Sequence, residues 1–294
     1  MTEGRAEGVR TEPRVLKTAL GRYAGTARLL DGEIPSGKLR LDVEKVAPIS
    51  KAFAPMVRAG KFEVSEMAIA TFLMARAYDK PLVLLPVVLV ERAQEAAMLC
   101  RKDGPIQGPA DLAGAHIAVR AYSQTTGMWL RGSLAETYGV KAGAQRWTTF
   151  EGAHVAEFSD PPFVTRAPAD GPDLLAMLRS GAADAAIFGN DMPDAPDLRP
   201  VFADAQAAGA AFKAKHGFLP LNHLVVMRRD VVESDPSLVP ELLRMLRESG
   251  AAVRSRAELR PALALAIDYC FEQGLLPHRF TPEEAWAGLP AEVV

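Results

Sequence analysis

At 294 residues, with 49% hydrophobic and 24% charged side chains, the chain is long enough for two domains and too apolar for a disordered one. Thirty-four Lys and Arg against thirty-six Asp and Glu leave a formal charge of −2, which excludes a global attraction for nucleic acid or an anionic membrane. Cys100 and Cys270 are too few for a disulfide framework and have no zinc-type spacing, so reduced thiols are expected.

The N-terminal stretch MTEGRAEGVRTEPR alternates acids and bases and has no uninterrupted apolar run, so a cytoplasmic protein is expected. Residues 14–20 and 39–46 read as strands, with a short helix at 26–30 between them. A helix is expected to begin near Ser65, with Glu66 in its first turn and Met67, Ile69, Ala70, Leu73 and Met74 on its packing face. Residues 81–90 form the most apolar run; ten residues with two prolines are far short of the roughly 20 needed to span a bilayer and read as a buried strand.

Strands are expected at 97–101 and 116–120. A helix follows, capped by Ser123 or Thr125, carrying Met128, Trp129, Leu130 and Leu134 and closed by Gly139 in the left-handed conformation. Another β-α-β pattern covers 146–150, 173–179 and 183–188, interrupted by the long, proline-rich segment 151–171; loops of this length often cover a site or ornament a surface. A strand at 224–227 follows the corner Pro220-Leu221-Asn222-His223. Three helical segments finish the chain, one starting at Asp235-Pro236 and the last at the capping box Thr281-Pro282-Glu283-Glu284.

Repeated crossovers imply an α/β protein, and α/β sheets bind ligands at their open ends. One arrangement places 14–95 and 224–294 in a first lobe and 96–223 in an inserted second lobe, with the ligand between them. At the expected helix N-terminus, Tyr122, Gln124, Thr125 and Thr126 offer amides and hydroxyls to a carboxylate, with Arg131 adding a bidentate contact if it faces the cleft; capping and solvation are the competing reading. Ser65 and Glu66 either bind substrate or stabilise a helix start, and Arg92 binds a second acid group or is solvated at a strand exit. His223, held at a tight corner, suits proton transfer. His116, His154, His216 and His278 are dispersed and give no metal spacing, so no metal and no cofactor are assigned. Dinucleotide, phosphate-loop and nucleophile-elbow motifs are absent from the sequence.

The segments Phe62-Glu63-Val64-Ser65-Glu66-Met67, Gln124-Thr125-Thr126, Trp129-Leu130-Arg131-Gly132, Tyr138-Gly139-Val140, Gly181-Ala182-Ala183-Asp184-Ala185 and Pro220-Leu221-Asn222-His223 together resemble the 4,5-dihydroxyphthalate decarboxylase family. The resemblance implies a two-lobed fold like that of type II periplasmic solute-binding proteins, with a central ligand cleft. It also implies a cofactor-independent aromatic acid decarboxylase, in which Glu66 and His223 are catalytic and Ser65, Arg92, Tyr122, Gln124, Thr125, Thr126, Arg131 and Asn222 bind substrate. Where the family commonly follows an arginine with Phe-Arg-His-Ser, this chain keeps only Arg92, ahead of Ala93-Gln94-Glu95-Ala96. The alternative is a non-catalytic binding protein for a small aromatic or aliphatic carboxylate; another proton-transfer enzyme on the same scaffold is a third reading. The expected partner is a small, carboxylate-bearing, aromatic molecule, with oligomeric state left open.

Overall fold

The computed structural model describes residues 12–189 and 192–293. In chain order, β1 (Arg14–Ala19), α1 (Ala27–Leu30), β2 (Leu39–Val43), α2 (Phe53–Ala59), β3 (Val64–Ala68), α3 (Ile69–Ala77) and β4 (Leu82–Glu91) come first. The chain then passes into β5 (Met98–Arg101), β6 (His116–Val119), α4 (Thr125–Tyr138), β7 (Arg146–Thr149), β8 (Val164–Arg166), α5 (Leu174–Arg179), β9 (Ala185–Ile187), β10 (Leu198–Pro200) and α6 (Ala205–His216). It returns through β11 (Leu221–Arg228), α7 (Arg229–Ser234), α8 (Leu238–Ser249), β12 (Ala252–Val253), α9 (Arg256–Glu272) and α10 (Pro282–Ala285).

These strands make two six-stranded sheets. The first has the order β12-β4-β11-β3-β1-β2 and the second β10-β5-β9-β6-β7-β8. All strands of the second sheet lie between β4 and β11 in sequence, so the chain crosses between sheets twice. The two crossings touch: the Arg92 amide donates to the Pro220 carbonyl at 3.1 Å, and the Gln94 side-chain amide donates to Asn222 Oδ1 at 2.7 Å. Helices α3, α4 and α9 pack on one another, and one continuous apolar core runs from Leu16 and Val64 of the first sheet to Ile117 and Ile187 of the second. A smaller core, with Ala118, Leu178, Ala186 and Phe188, covers the other face of the second sheet beneath α5. Trp129 is part of this packing, 1% exposed, with its indole N–H on the Leu221 carbonyl at 2.8 Å.

The helix expected from Ser65 does not begin there. Val64 to Ala68 is a strand paired in parallel with β1 and antiparallel with β11, and the helix starts at Ile69. All five residues of β3 are buried, so the strand shows none of the polar and apolar alternation that identifies a half-exposed one. Ser65 consequently caps nothing. α4 starts at Thr125 with Gln124 in the N-cap position and no side-chain cap, and Gly139, at φ 70°, ends it as expected. Cys100 and Cys270 are both buried free thiols.

Candidate functional site

Adjacent antiparallel strands bring Glu66 and His223 together. On β3 and β11, Glu66 lies opposite Val225 and Ala68 opposite His223, so Glu66 and His223 are diagonal neighbours on one face. Against β4, the register of β11 shifts on both sides of His223, and such irregularities re-aim a side chain at the end of a sheet. His223 Nδ1 meets Glu66 Oε1 at 2.5 Å.

Glu66 is fully buried and its two oxygens are held from three sides. Oε1 also accepts the Tyr23 hydroxyl at 2.7 Å, and Oε2 accepts the Gly21 amide at 2.8 Å. Burial and then the Glu66 charge push the Tyr23 phenol strongly upward, which keeps it protonated as the donor of that bond. A Cβ at Gly21 would lie 2.7 Å from the Tyr23 hydroxyl and 2.8 Å from Glu66 Oε2, so glycine is what lets the carboxylate approach the loop. Neither Gly21 nor Tyr23 carries a signal in the sequence that links it to Glu66.

His223 opens onto a cavity of about 100 Å³ between the two sheets. Phe53, Ala68 and Thr71 line it from the first lobe, and Arg120, Ser123, Gln124, Thr125, Thr126 and Phe188 from the second. Asn222 and His154 also line it. The N-termini of α3 and α4 converge here and are joined by the Ala70 amide, which donates to Thr125 Oγ1 at 3.2 Å. Two helix N-termini facing one cavity turn their first backbone amides and the positive ends of two helix dipoles toward it. Arg120, with its side chain 32% exposed, adds a cation at the rim and pairs with Glu151 at 2.6 Å. Gln124 Oε1 is buried without a hydrogen-bond partner in this state.

His154 comes from the long segment 151–171. Its Nδ1 lies 2.8 Å from Thr71 Oγ1, and its own carbonyl and that of Ala153 accept the Arg58 guanidinium at 2.9 and 2.8 Å. Burial, then the charges of Arg120 and Arg58, pushes the ring down to about 4, so it is neutral at neutral pH. An unfolded histidine takes its proton near pH 6.5, so the stability that neutral His154 maintains is complete above that pH and is lost as pH falls toward 4. The loss reaches up to about 3 kcal/mol. Urea unfolding at pH 7 and pH 4.5 is expected to show a smaller acid loss for His154→Leu than for the wild type.

Four of the residues selected from sequence lie elsewhere. Ser65 faces away from Glu66 across β3, is fully buried, and donates its hydroxyl to the Glu66 carbonyl at 2.8 Å. Tyr122 is fully buried and donates to the Gln273 carbonyl at 3.1 Å. Arg131 is 1% exposed; its Nε donates to Gln273 Oε1 and an Nη to the Tyr122 carbonyl, both at 2.7 Å, and its guanidinium carbon lies 3.9 Å from the centre of the Tyr122 ring. Arg131 is therefore a core cation and not a cleft residue. Arg92 does not line the cavity but reaches Thr126 Oγ1, which does, at 3.4 Å. Gln124, Thr125, Thr126, Asn222 and His223 do line it, and Glu66 stands directly behind His223. Phe53, Thr71, Arg120 and His154 are cavity residues that the sequence reading did not select.

A larger hollow of about 1070 Å³ lies beside α4 and α9. Arg131, Glu136 and Gln273 are among the residues that line it: Glu136 pairs with Tyr269, Lys215 and His216, and Gln273 with Arg131 and the Met128 carbonyl, while Arg131 Nη1 is buried without a hydrogen-bond partner. The smaller cavity, where two helix N-termini meet the Glu66 and His223 pair between the two sheets, is the candidate site. Among the described residues there is no cluster of three or more His, Cys, Asp or Glu able to hold a metal, and no helix is long and apolar enough to cross a membrane.

Two sheets crossed twice by the chain, with a polar cleft between them, define a two-lobed α/β protein of the type II periplasmic-binding-protein fold. The periplasmic aliphatic sulphonate-binding protein SsuA of Escherichia coli superposes with a TM-score of 0.51 at 17% identity, covering 96% of this chain and 88% of that one. The desulfurization enzyme DSZB superposes with a TM-score of 0.55 at 15% identity, covering 93% and 96%. Within that fold the chain is distantly related to 4,5-dihydroxyphthalate decarboxylase: the Comamonas testosteroni enzyme is 23% identical over 295 residues, 92% of this chain and 86% of its own length. No protein-family model matches the chain. A cytoplasmic setting, expected from the N-terminal sequence, does not stand, because this is the fold of a periplasmic binding protein; the description of the chain as a cytoplasmic decarboxylase falls with it.

Proposed function

We propose that the cleft binds a small organic acid of aromatic size, its carboxylate received by the N-termini of α3 and α4 and by Arg120. The observation that carries this reading is the meeting of the two helix N-termini across the cleft, where Thr125 Oγ1 takes a place on the Ala70 amide that a ligand oxygen can take instead. At about 100 Å³ the cavity is smaller than the ~300 to 1,000 Å³ usual for ligand sites, so the described state is closed and binding requires the lobes to part. Mass spectrometry of small molecules retained by the purified protein, followed by calorimetry, tests it. An aromatic carboxylate is expected to bind, with Arg120→Ala about tenfold weaker; equal affinity in the variant would remove Arg120 from the site.

A second reading is favoured by the Glu66 and His223 pair, which a passive binding cleft does not need. With Nδ1 held by Glu66, Nε2 is the ring atom left to exchange a proton with a bound molecule. On a hydroxylated ring acid, the hydroxyl pushes electron density into the ring while Nε2 delivers a proton to the carbon bearing the carboxylate. The bond from that carbon to the carboxyl carbon then breaks, its electron pair restores aromaticity, and carbon dioxide leaves. Release of carbon dioxide from the retained acid, falling about 100-fold or more in His223→Gln while affinity stays within about threefold, supports turnover. Binding without release leaves the first reading alone.

A further inference from the structure

We propose that residues 151–157 are a latch that holds the empty cleft shut, and that a ligand reaches His223 when this strap lifts from Arg58, Thr71 and Lys80 while the buried contacts between the two lobes stay in place. The inference rests on the reading of the cleft as an organic acid site.

The strap leaves β7 of the second sheet and is fixed there at its foot. The Phe150 and Glu151 amides both donate to the Arg120 carbonyl, at 3.0 and 2.8 Å, and the Glu151 carboxylate pairs with the Arg120 guanidinium. From there it crosses to elements of the first sheet. Arg58, in the last turn of α2, donates its Nε to the His154 carbonyl at 2.9 Å and an Nη to the Ala153 carbonyl at 2.8 Å. Thr71 of α3 meets His154 Nδ1 at 2.8 Å, the His154 ring stands edge-on to Phe53 at 5.7 Å, and Lys80, just past α3, pairs with Glu157. The strap belongs to one sheet and its holders to the other, so the lobes part on this side only when these contacts break.

Other contacts between the lobes are of a different kind. Gln94 and Asn222, which pair where the chain crosses, are both buried. Gln273, beyond the end of α9, is buried too; it accepts from Arg131, donates to the Met128 carbonyl at 2.9 Å, and its own carbonyl accepts the Tyr122 hydroxyl at 3.1 Å. Breaking these would strand donors and acceptors in a dry core, at about 1 to 3 kcal/mol for each group. Water reaches the holders of the strap at Arg58 and at Glu157, whose side chain is 47% exposed, so it replaces what is lost there, and each such contact is worth on the order of 1 kcal/mol or less. The weaker set gives way first: the lobes turn about Asn222 and Gln273 and separate at the strap. Asn222 of the fixed set and His154 of the strap both line the cavity, so lifting the strap removes part of its wall.

Spin labels on Lys51→Cys, before α2, and Thr165→Cys, on β8, report the separation of the lobes in the intact, ligand-free chain; both positions are exposed, and Cys100 and Cys270 are buried. Pulsed electron-electron resonance is expected to give one short distance in this background. Adding Arg58→Ala with Lys80→Ala is expected to move about half or more of the distribution to longer distance. Glu157→Lys, an exposed change that sets two cations against each other, is expected to act in the same direction without loss of the folded circular dichroism signal. Arg22→Ala, which removes the exposed pair with Asp31 away from the strap, is expected to leave the distance unchanged. Stopped-flow binding of benzoate is expected to show an association rate about tenfold higher in the strap variants. An unchanged distance in both strap variants overturns the latch, as does a wild-type distribution already as long as theirs. Failure of benzoate to bind any of these proteins counts against the organic acid reading, and the distances then decide the latch by themselves.

Discussion

Glu66→Ala is expected to lower the unfolding free energy by about 4 kcal/mol and to free His223 from its fixed orientation. The carboxylate is fully buried and accepts from the Gly21 amide, the Tyr23 hydroxyl and His223 Nδ1. Its removal leaves three donors without an acceptor where water does not reach, each costing about 1 to 3 kcal/mol and not strictly additive. Glu66→Gln is expected to lose about half as much. Its single carbonyl oxygen can serve either the Tyr23 and His223 side or the Gly21 side, and its NH₂ then faces a donor on the other. Tyr23→Phe, which removes one donor and leaves the carboxylate to the other two, is expected to cost about 1 kcal/mol. Urea denaturation orders the three variants, and a loss below about 1 kcal/mol for Glu66→Ala would show that the carboxylate does not organise this end of the sheet.

The same carboxylate shows why part of the site was legible in the sequence and part was not. Glu66 and His223 drew attention because an acid in an apolar segment and a histidine at a proline-led corner are chemically conspicuous, yet their meeting depends on the pairing of β3 with β11, separated by 157 residues. Local pattern does not encode that pairing. Elements marked by a long apolar run, a period or a cap were readable: the ten-residue run at β4, the strand and helix at β6 and α4, and the capping box at Thr281 all form. β3 was misread because a strand buried on both faces has no period. His154 and Arg58 lie outside any periodic segment that joins them, and only the length of the loop at 151–171 pointed toward the site.

Arg131 was misplaced for a reason that helix geometry supplies. At about 100° per residue, Arg131 lies about 140° around α4 from Thr126 and about 120° from Thr125, so it leaves the helix on a different side from the residues that face the cleft. It enters the core between aromatic rings, 3.9 Å from the Tyr122 centroid and 5.1 Å from that of Trp147, and donates to Gln273 beyond the end of α9.

Arg131→Ala is accordingly expected to cost about 3 kcal/mol of stability, through the lost hydrogen bonds, the ring contacts and the void left by a side chain 1% exposed. The thermal midpoint is expected to fall by about 5 to 10 °C. Affinity for an aromatic carboxylate, measured at a temperature where the variant stays folded, is expected to be unchanged. Arg120→Ala should give the reverse: its ion pair with Glu151 is half exposed and worth little to folding, while its guanidinium stands at the cavity rim. The two arginines, eleven positions apart in sequence, therefore separate stability from recognition. A loss of affinity in Arg131→Ala equal to that in Arg120→Ala would mean that the core cation reaches the ligand after the lobes part. The charge that recognises the acid would then be buried behind α4 in the closed state.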